Sequence, residues 1–199
     1  MTVWFTSDLH IGHLRIIELT DRPFNSVEEM NEILIENYNA LVRPEDTCYH
    51  LGDCCMGQLI TTLPLLKQLN GHKILAALGN HDRPSKLFHH KTEQRRGEWT
   101  IKYLDYFEEI YESMELQVPG FEKPWLLHHL PYRDDSFIDH AYEGRYREFQ
   151  PIDEGQILLH GHIHSTWKYK EPRQVNVGVD VWDYRPVSLD QIVGLLSLK

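Results

Sequence analysis

An α/β fold built on parallel strands is predicted by three features of the sequence. Runs rich in β-branched and apolar residues recur at 2–7, 47–51 and 74–78, helical patterns separate them, and each run stops in Asp, Asn, His or Gly. The order strand, helix, strand, helix, strand calls for parallel pairing with right-handed crossovers. In such sheets sites lie beyond the carboxyl ends of the strands, where these polar breaks fall.

The first run breaks at Asp8-Leu9-His10-Ile11-Gly12-His13. In an extended chain Asp8 and His10 face the same way, so both can reach one metal ion. Ser26-Val27-Glu28-Glu29 is a capping box, and Val27, Met30, Ile33, Leu34, Tyr38 and Leu41 follow at helical spacing up to Pro44. The second run ends in Gly52-Asp53, a carboxylate whose two oxygens can each take one ion. A helix is expected over 61–70, with Pro64 near its start and Gly71 after its end.

The third run delivers Leu78-Gly79-Asn80-His81-Asp82. Gly79 permits a sharp turn, the Asn80 amide oxygen suits a hard metal, His81 can hand over a proton, and Asp82 can hold that imidazole in one tautomer. Residues 83–109 form a polar connection with a helix opened by Pro84. A hairpin over 110–118 and 125–127 leads to His128-His129-Leu130-Pro131. Residues 131–155 read as a long loop over the site. A strand at 156–159 then enters His160-Gly161-His162-Ile163-His164, another stretch alternates over 174–179, and an apolar strand at 192–198 closes the chain.

With 199 residues, 41% of them hydrophobic and 11% aromatic, the chain reads as one domain over 1–199. A net charge of -10 excludes an overall positive field for duplex nucleic acid or an anionic membrane. Cys48, Cys54 and Cys55 give neither a disulfide framework nor zinc spacing, and they are expected to pack in the interior. No apolar run approaches the roughly 18 residues of a spanning helix, and a cytoplasmic location is expected.

Asp8, His10, Asp53, Asn80, His128, His162 and His164 make a mixed oxygen and nitrogen donor set without thiolate. Such a set suits Mn²⁺, Fe, Zn²⁺ or Ni²⁺, and seven donors exceed the need of one ion. Two ions about 3.5–4 Å apart activate water and clamp phosphoryl oxygens.

The string Asp8-Leu9-His10, Gly52-Asp53, Gly79-Asn80-His81-Asp82, His128 and Gly161-His162-Ile163-His164 resembles, in matching order, the calcineurin-like metallophosphoesterase superfamily, in a small bacterial or phage form. The resemblance runs from residue 3 to about 180 and implies an αββα sandwich of two mixed sheets flanked by helices, with a dinuclear metal site at the strand ends. It implies one ion on Asp8, His10, Asp53 and His164 and a second on Asp53, Asn80, His128 and His162, with Asp53 as the bridge. Between His128 and His129 it favours His128. His81 becomes the acid or transition-state stabiliser, and Asp82 orients it. His13, His50, His72, His89, His90, His140 and His160 have no motif role and are expected at the surface or in packing.

Leu78 stands where the family's protein phosphatases carry arginine, and the chain has no room for the capping domain of its DNA-break nucleases. The expected activity is therefore hydrolysis of small phosphodiesters, cyclic nucleotides among them, with two divalent ions, Mn²⁺ first. The alternative is a small-molecule or nucleotide phosphomonoesterase, with a nuclease or a non-catalytic scaffold further behind. Arg133, Arg145, Arg147, Lys168, Lys170 and Arg173 are candidates to hold a second phosphate, and Tyr132, Tyr146 or Trp167 to stack on a base.

Overall fold

The first three buried runs become β1 (Val3–Thr6), β2 (Thr47–His50) and β3 (His72–Leu75), paired in parallel and in register, Phe5 opposite Tyr49 and Tyr49 opposite Ile74. β4 (Glu109–Ile110) extends the sheet in parallel beyond β3. A second sheet is made of β5 (Met114–Leu116), β6 (Trp125–Leu127), β7 (Leu158–His160), β8 (Tyr169–Lys170) and β9 (Gln174–Asn176), and β10 (Val187–Ser188) returns to the first. The orders are β10-β1-β2-β3-β4 and β5-β6-β7-β9-β8, each sheet mixing parallel and antiparallel pairs. The computed structural model describes residues 1–88, 92–133 and 145–197.

Side-chain alternation decides the layers. From β1 to β3, Val3, Phe5, Tyr49, Ile74 and Ala76 face Trp125, Leu127, Leu159 and Val175 of the second sheet, forming the core between the sheets. Their neighbours Trp4, Cys48 and Leu75 face outward, where α2 (Val27–Asn39) covers them with Met30, Leu34 and Tyr38. Strands buried on both faces read as continuous apolar runs, which is why these three were legible. Ser26 caps α2 as expected, its hydroxyl accepting the Glu29 N–H at 3.1 Å. Cys48, Cys54 and Cys55 are free and buried, and burial raises all three thiols, Cys48 to about 12.

Four expectations about the elements are corrected. The helix expected over 61–70 is a single turn, α3 (Leu59–Thr62), followed by a 3₁₀ segment over Leu63–Gln68 with Pro64 at its start. The helix between β3 and β4 is α4 (Glu93–Tyr103), opened by the Thr92 hydroxyl accepting the Arg95 N–H rather than by Pro84. The run 110–118 is no single strand, because β4 ends in one sheet and β5 begins in the other; this is where the chain crosses the sandwich. The closing run, expected as a strand over 192–198, is helical over its described residues 192–197, part of α5 (Leu189–Ser197). Short apolar runs do not separate strand from helix by pattern, and the deciding signal lay upstream. Ser188 and Gln191 form a reciprocal cap: the serine hydroxyl accepts the Gln191 N–H at 3.2 Å, and the glutamine amide oxygen accepts the Ser188 N–H at 2.9 Å.

Ser188→Ala should therefore lower the unfolding free energy by about 1 kcal/mol, read as a lower urea midpoint at unchanged slope. Ser197→Ala, at an exposed hydroxyl bonded to Val193 within the same helix, should stay within about 0.5 kcal/mol. Equal effects would remove the cap from its place at the start of α5.

Candidate metal centre

Six of the seven expected donors, all but His128, gather where the carboxyl ends of both sheets meet, but extended backbone is not what aims them. Asp8, His10, Asp53, His162 and His164 all lie in the left-handed region, with φ of 57°, 51°, 52°, 71° and 48°. Asp and His tolerate that region better than most residues, yet each such position costs of order 1–3 kcal/mol and needs a surrounding frame. The frame is backbone to backbone: Asp8 N–H donates to Gly52, His10 N–H to Asp53, Ile11 N–H to Cys54 and Gly161 N–H to His129. Two glycines let the loops touch. A Cβ on Gly79 would strike the Asp53 carboxylate, and one on Gly161 would strike Ser7 Oγ and the Asp8 carboxylate.

Asp53 is the centre of the arrangement. Its Oδ1 accepts the His81 N–H at 2.8 Å, and its Oδ2 lies 3.6 Å from His10 Nε2 and 3.4 Å from His129 Nε2. On one side Asp8, His10 and His164, and on the other Asp8, Asp53 and His129, bring donor atoms within 4.8 Å of one another. Asn80 Oδ1 sits 3.1 Å from His129 Nε2 and 2.9 Å from His162 Nδ1. Asp8 accepts the His162 N–H through both oxygens, at 3.1 and 3.0 Å.

The donors fit metal ions. Both ring nitrogens of His10 are buried with no hydrogen-bond partner, a cost that a cation would relieve. Burial, with the nearby His164, Arg22 and His81, keeps its pKa well below the usual histidine value, so the ring offers a lone pair. His129 donates from Nδ1 to the Leu51 carbonyl at 2.7 Å, and His164 from Nδ1 to Asp180 Oδ2 at 3.0 Å. Each bond leaves Nε2 as the free donor atom, the usual arrangement around a metal-binding imidazole. Burial opposes charge on His129, yet Asp53 outweighs it and carries the ring up to about 9. The carboxylate thus demands a positive charge beside it, which a divalent ion supplies in place of a proton.

His129, not His128, belongs to this cluster. The β6 pleat turns His128 the other way, to exchange contacts with Leu130 and line a small cavity with Leu78, Leu87 and Phe149. Asp82 also has a different part from the one expected. It is fully buried and accepts the backbone N–H groups of Gly79, Asp53 and Cys54 at 2.8, 2.8 and 3.3 Å, so it clamps the two ligand loops together rather than orienting the His81 ring. Burial and the neighbouring Asp53 push it up to about 7. His81 stands at the pocket mouth, its side chain 25% exposed and its Nε2 4.0 Å from Asp53 Oδ2.

Two residues were missed. Arg22, buried, donates to the Asp8 and Leu9 carbonyls at 2.7 and 3.1 Å and forks onto both oxygens of Asp180 at 2.8 and 2.9 Å. Burial opposes ionisation of Asp180, but its bonds to His164 and Arg22 hold it down to about 2. An arginine in a polar turn before Pro23 carries no signal of this. His13, assigned to packing, lines the metal pocket 5.3 Å from the His10 ring, and burial lowers it to about 4. The rest of that group behaves as expected among the described residues: His50 packs on Tyr38 and Phe107, His160 on Trp167, and exposed His72 pairs with Glu108. His89, His90 and His140 lie outside the described residues.

The candidate cations and stacking rings do not line the pocket. Arg133, Arg145 and Arg147 border a separate cavity, Lys168 covers Trp182, and Arg173 pairs with Asp153. Tyr132 is buried with its hydroxyl on Gln156, Tyr146 is buried edge-on to His162, and Trp167 packs on His160.

His129→Ala should reduce the Mn²⁺ retained after equilibrium dialysis, and His128→Ala should retain the wild-type amount. The reverse result would return the donor role to His128.

No helix among the described residues is long and apolar enough to cross a membrane. A family model for calcineurin-like phosphoesterases matches residues 1–182. The Gene 66 protein of Mycobacterium phage L5 is 34% identical, over 98% of this chain and 93% of its own. An uncharacterized protein of Methanocaldococcus jannaschii is 31% identical, over 98% and 91%. The crystal structure of a protein of unknown function from Aquifex aeolicus superposes with a TM-score of 0.66 at 28% identity, covering 98% of both chains. Across residues 1–182, with candidate metal donors brought together at the strand ends, the chain belongs to the calcineurin-like phosphoesterase family, the metal-dependent hydrolases of phosphate esters.

Proposed function

We propose that this chain hydrolyses small phosphodiesters. The observation that carries the reading is the charge of the pocket wall: the described residues that line it include no lysine or arginine, Arg22 being buried behind the donors on the Asp8 and Leu9 carbonyls and Asp180. A phosphomonoester bears one more negative charge than a diester and is best held by such a cation. Leu78, at the position where the family's protein phosphatases carry arginine, is buried.

Asp8, His10, Asp53 and His164 would hold one divalent ion, and Asp53, Asn80, His129 and His162 the other, with Mn²⁺ suited to this donor set. When bound, the ions supply positive charge to the phosphoryl oxygens and lower the pKa of water. The chain's own groups do the rest. A water oxygen forms the new bond to phosphorus, one ester P–O bond breaks, His81 gives a proton to the departing alcohol oxygen, and the proton that the water loses restores His81. One diester and one water become one monoester and one alcohol. Asp53 fixes the loop that presents His81 through the backbone N–H, so the imidazole and the donors stay in register.

His81→Ala should keep its metal content and lose roughly 10² to 10⁴ in kcat, with a smaller loss for a nitrophenolate leaving group that needs no proton. An equal loss for good and poor leaving groups would leave His81 a charge stabiliser only. Separately, kcat/KM for bis-(nitrophenyl) phosphate should exceed that for nitrophenyl phosphate by at least about tenfold, roughly 1.4 kcal/mol of transition-state binding. A monoester that wins by that margin makes the chain a phosphomonoesterase.

A further inference from the structure

The candidate metal donors make up only part of the lining of their pocket. The cavity holds about 470 Å³, within the range of roughly 300–1,000 Å³ typical of small-molecule sites and more than a bare phosphoryl group fills. Besides His10, Asp53, Asn80, His81, His162 and His164, its lining includes Ile16, Leu19, Met56 and Ile163. Ile16, Leu19 and Thr20 come from one short helix, α1 (Leu14–Leu19), and its C-cap, at positions i, i+3 and i+4, which share a face. Ile163 is carried between the two left-handed positions His162 and His164, so the turn that aims the imidazoles also sets this side chain beside them.

The hydroxyls on this wall are largely spoken for. Thr20 Oγ1 donates to the Ile16 carbonyl at 2.8 Å and Thr166 Oγ1 to the Ile163 carbonyl at 2.6 Å. Ser165 is the other hydroxyl among the lining residues. Asp53 is the one carboxylate among them and belongs to the metal side. Apart from His13 and Ser165, a substrate part lying here meets mainly carbon, with no lysine or arginine among the described lining residues to hold a second phosphate.

We propose that this wall is a subsite for an uncharged, apolar ester group, alkyl or aryl, and that Ile16, Leu19, Met56 and Ile163 select the substrate by it. The inference rests on the phosphoester-hydrolase reading of the metal centre and adds the chemistry of the group esterified to phosphorus. An ester group that carries its own phosphate would be desolvated without compensation, which weakens its binding.

Non-hydrolysable phosphonates test the subsite, because each presents one group beside one phosphoryl analogue. With the Mn²⁺-loaded protein, phenylphosphonate and butylphosphonate should bind at least about tenfold more tightly than methylphosphonate by calorimetry, and 2-sulfoethylphosphonate no more tightly than methyl. Leu19→Ser and Met56→Ser should each bring the phenyl-to-methyl ratio down at least about threefold. Equal binding of all four, tighter binding of the sulfonate, or a ratio that survives both substitutions would overturn the subsite. Those outcomes leave the diesterase reading standing. Preference for nitrophenyl phosphate over its diester would sink that reading and leave the phosphonate ratio as it is.

Discussion

Buried negative charge is the constraint on which the rest of this structure depends. Asp8, Asp53 and Asp82 are almost wholly removed from water, and so is the Asp180 side chain. An ionised carboxylate in such a place is untenable unless something nearby answers it. Each is answered differently. Asp180 has the Arg22 fork and the His164 N–H, Asp82 has three backbone N–H groups, and Asp8 has the His162 N–H. Asp53 has the His81 N–H on one oxygen, while its other oxygen looks toward imidazole nitrogens on two sides. The remaining demand for positive charge falls where the donors converge.

Meeting that constraint shapes the loops. Five donors accept left-handed backbone, and the loops come close enough to require glycine at 79 and 161. The strain is held by hydrogen bonds between loops of different strands, so the donors are positioned by the seam of the sandwich as a whole. Arg22 extends the same logic outward. By taking the carbonyls of Asp8 and Leu9 together with Asp180, it sets the first loop and, through His164, the last one.

Much of this was legible in the residues. The three parallel strands were visible because both of their faces are buried, and α2 because its cap and periodicity agree. The donors were visible as polar breaks at strand ends. What escaped depends on direction and long-range partners. His128 and His129 differ only in which side of β6 they occupy, and a pleat one residue out of phase exchanges them. Asp82 looked like a partner for its neighbour His81 but serves groups at 53 and 54, and Arg22 meets its carboxylate 158 positions away. The closing helix was misread because the apolar run was weighed without the Ser188 and Gln191 pair at its start.

The distance between Arg22 and Asp180 also has a meaning in time. Chains are made from the amino end, and early segments wait for late ones. Asp8 and its loop emerge first, the imidazoles at 129, 162 and 164 much later, and Asp180 last of all. Until then Arg22 lacks its carboxylate and His164 lacks the group that fixes its ring. A nascent chain therefore carries an acidic, half-built pocket from Asp8 onward, and the centre can lock only once residue 180 has left the ribosome.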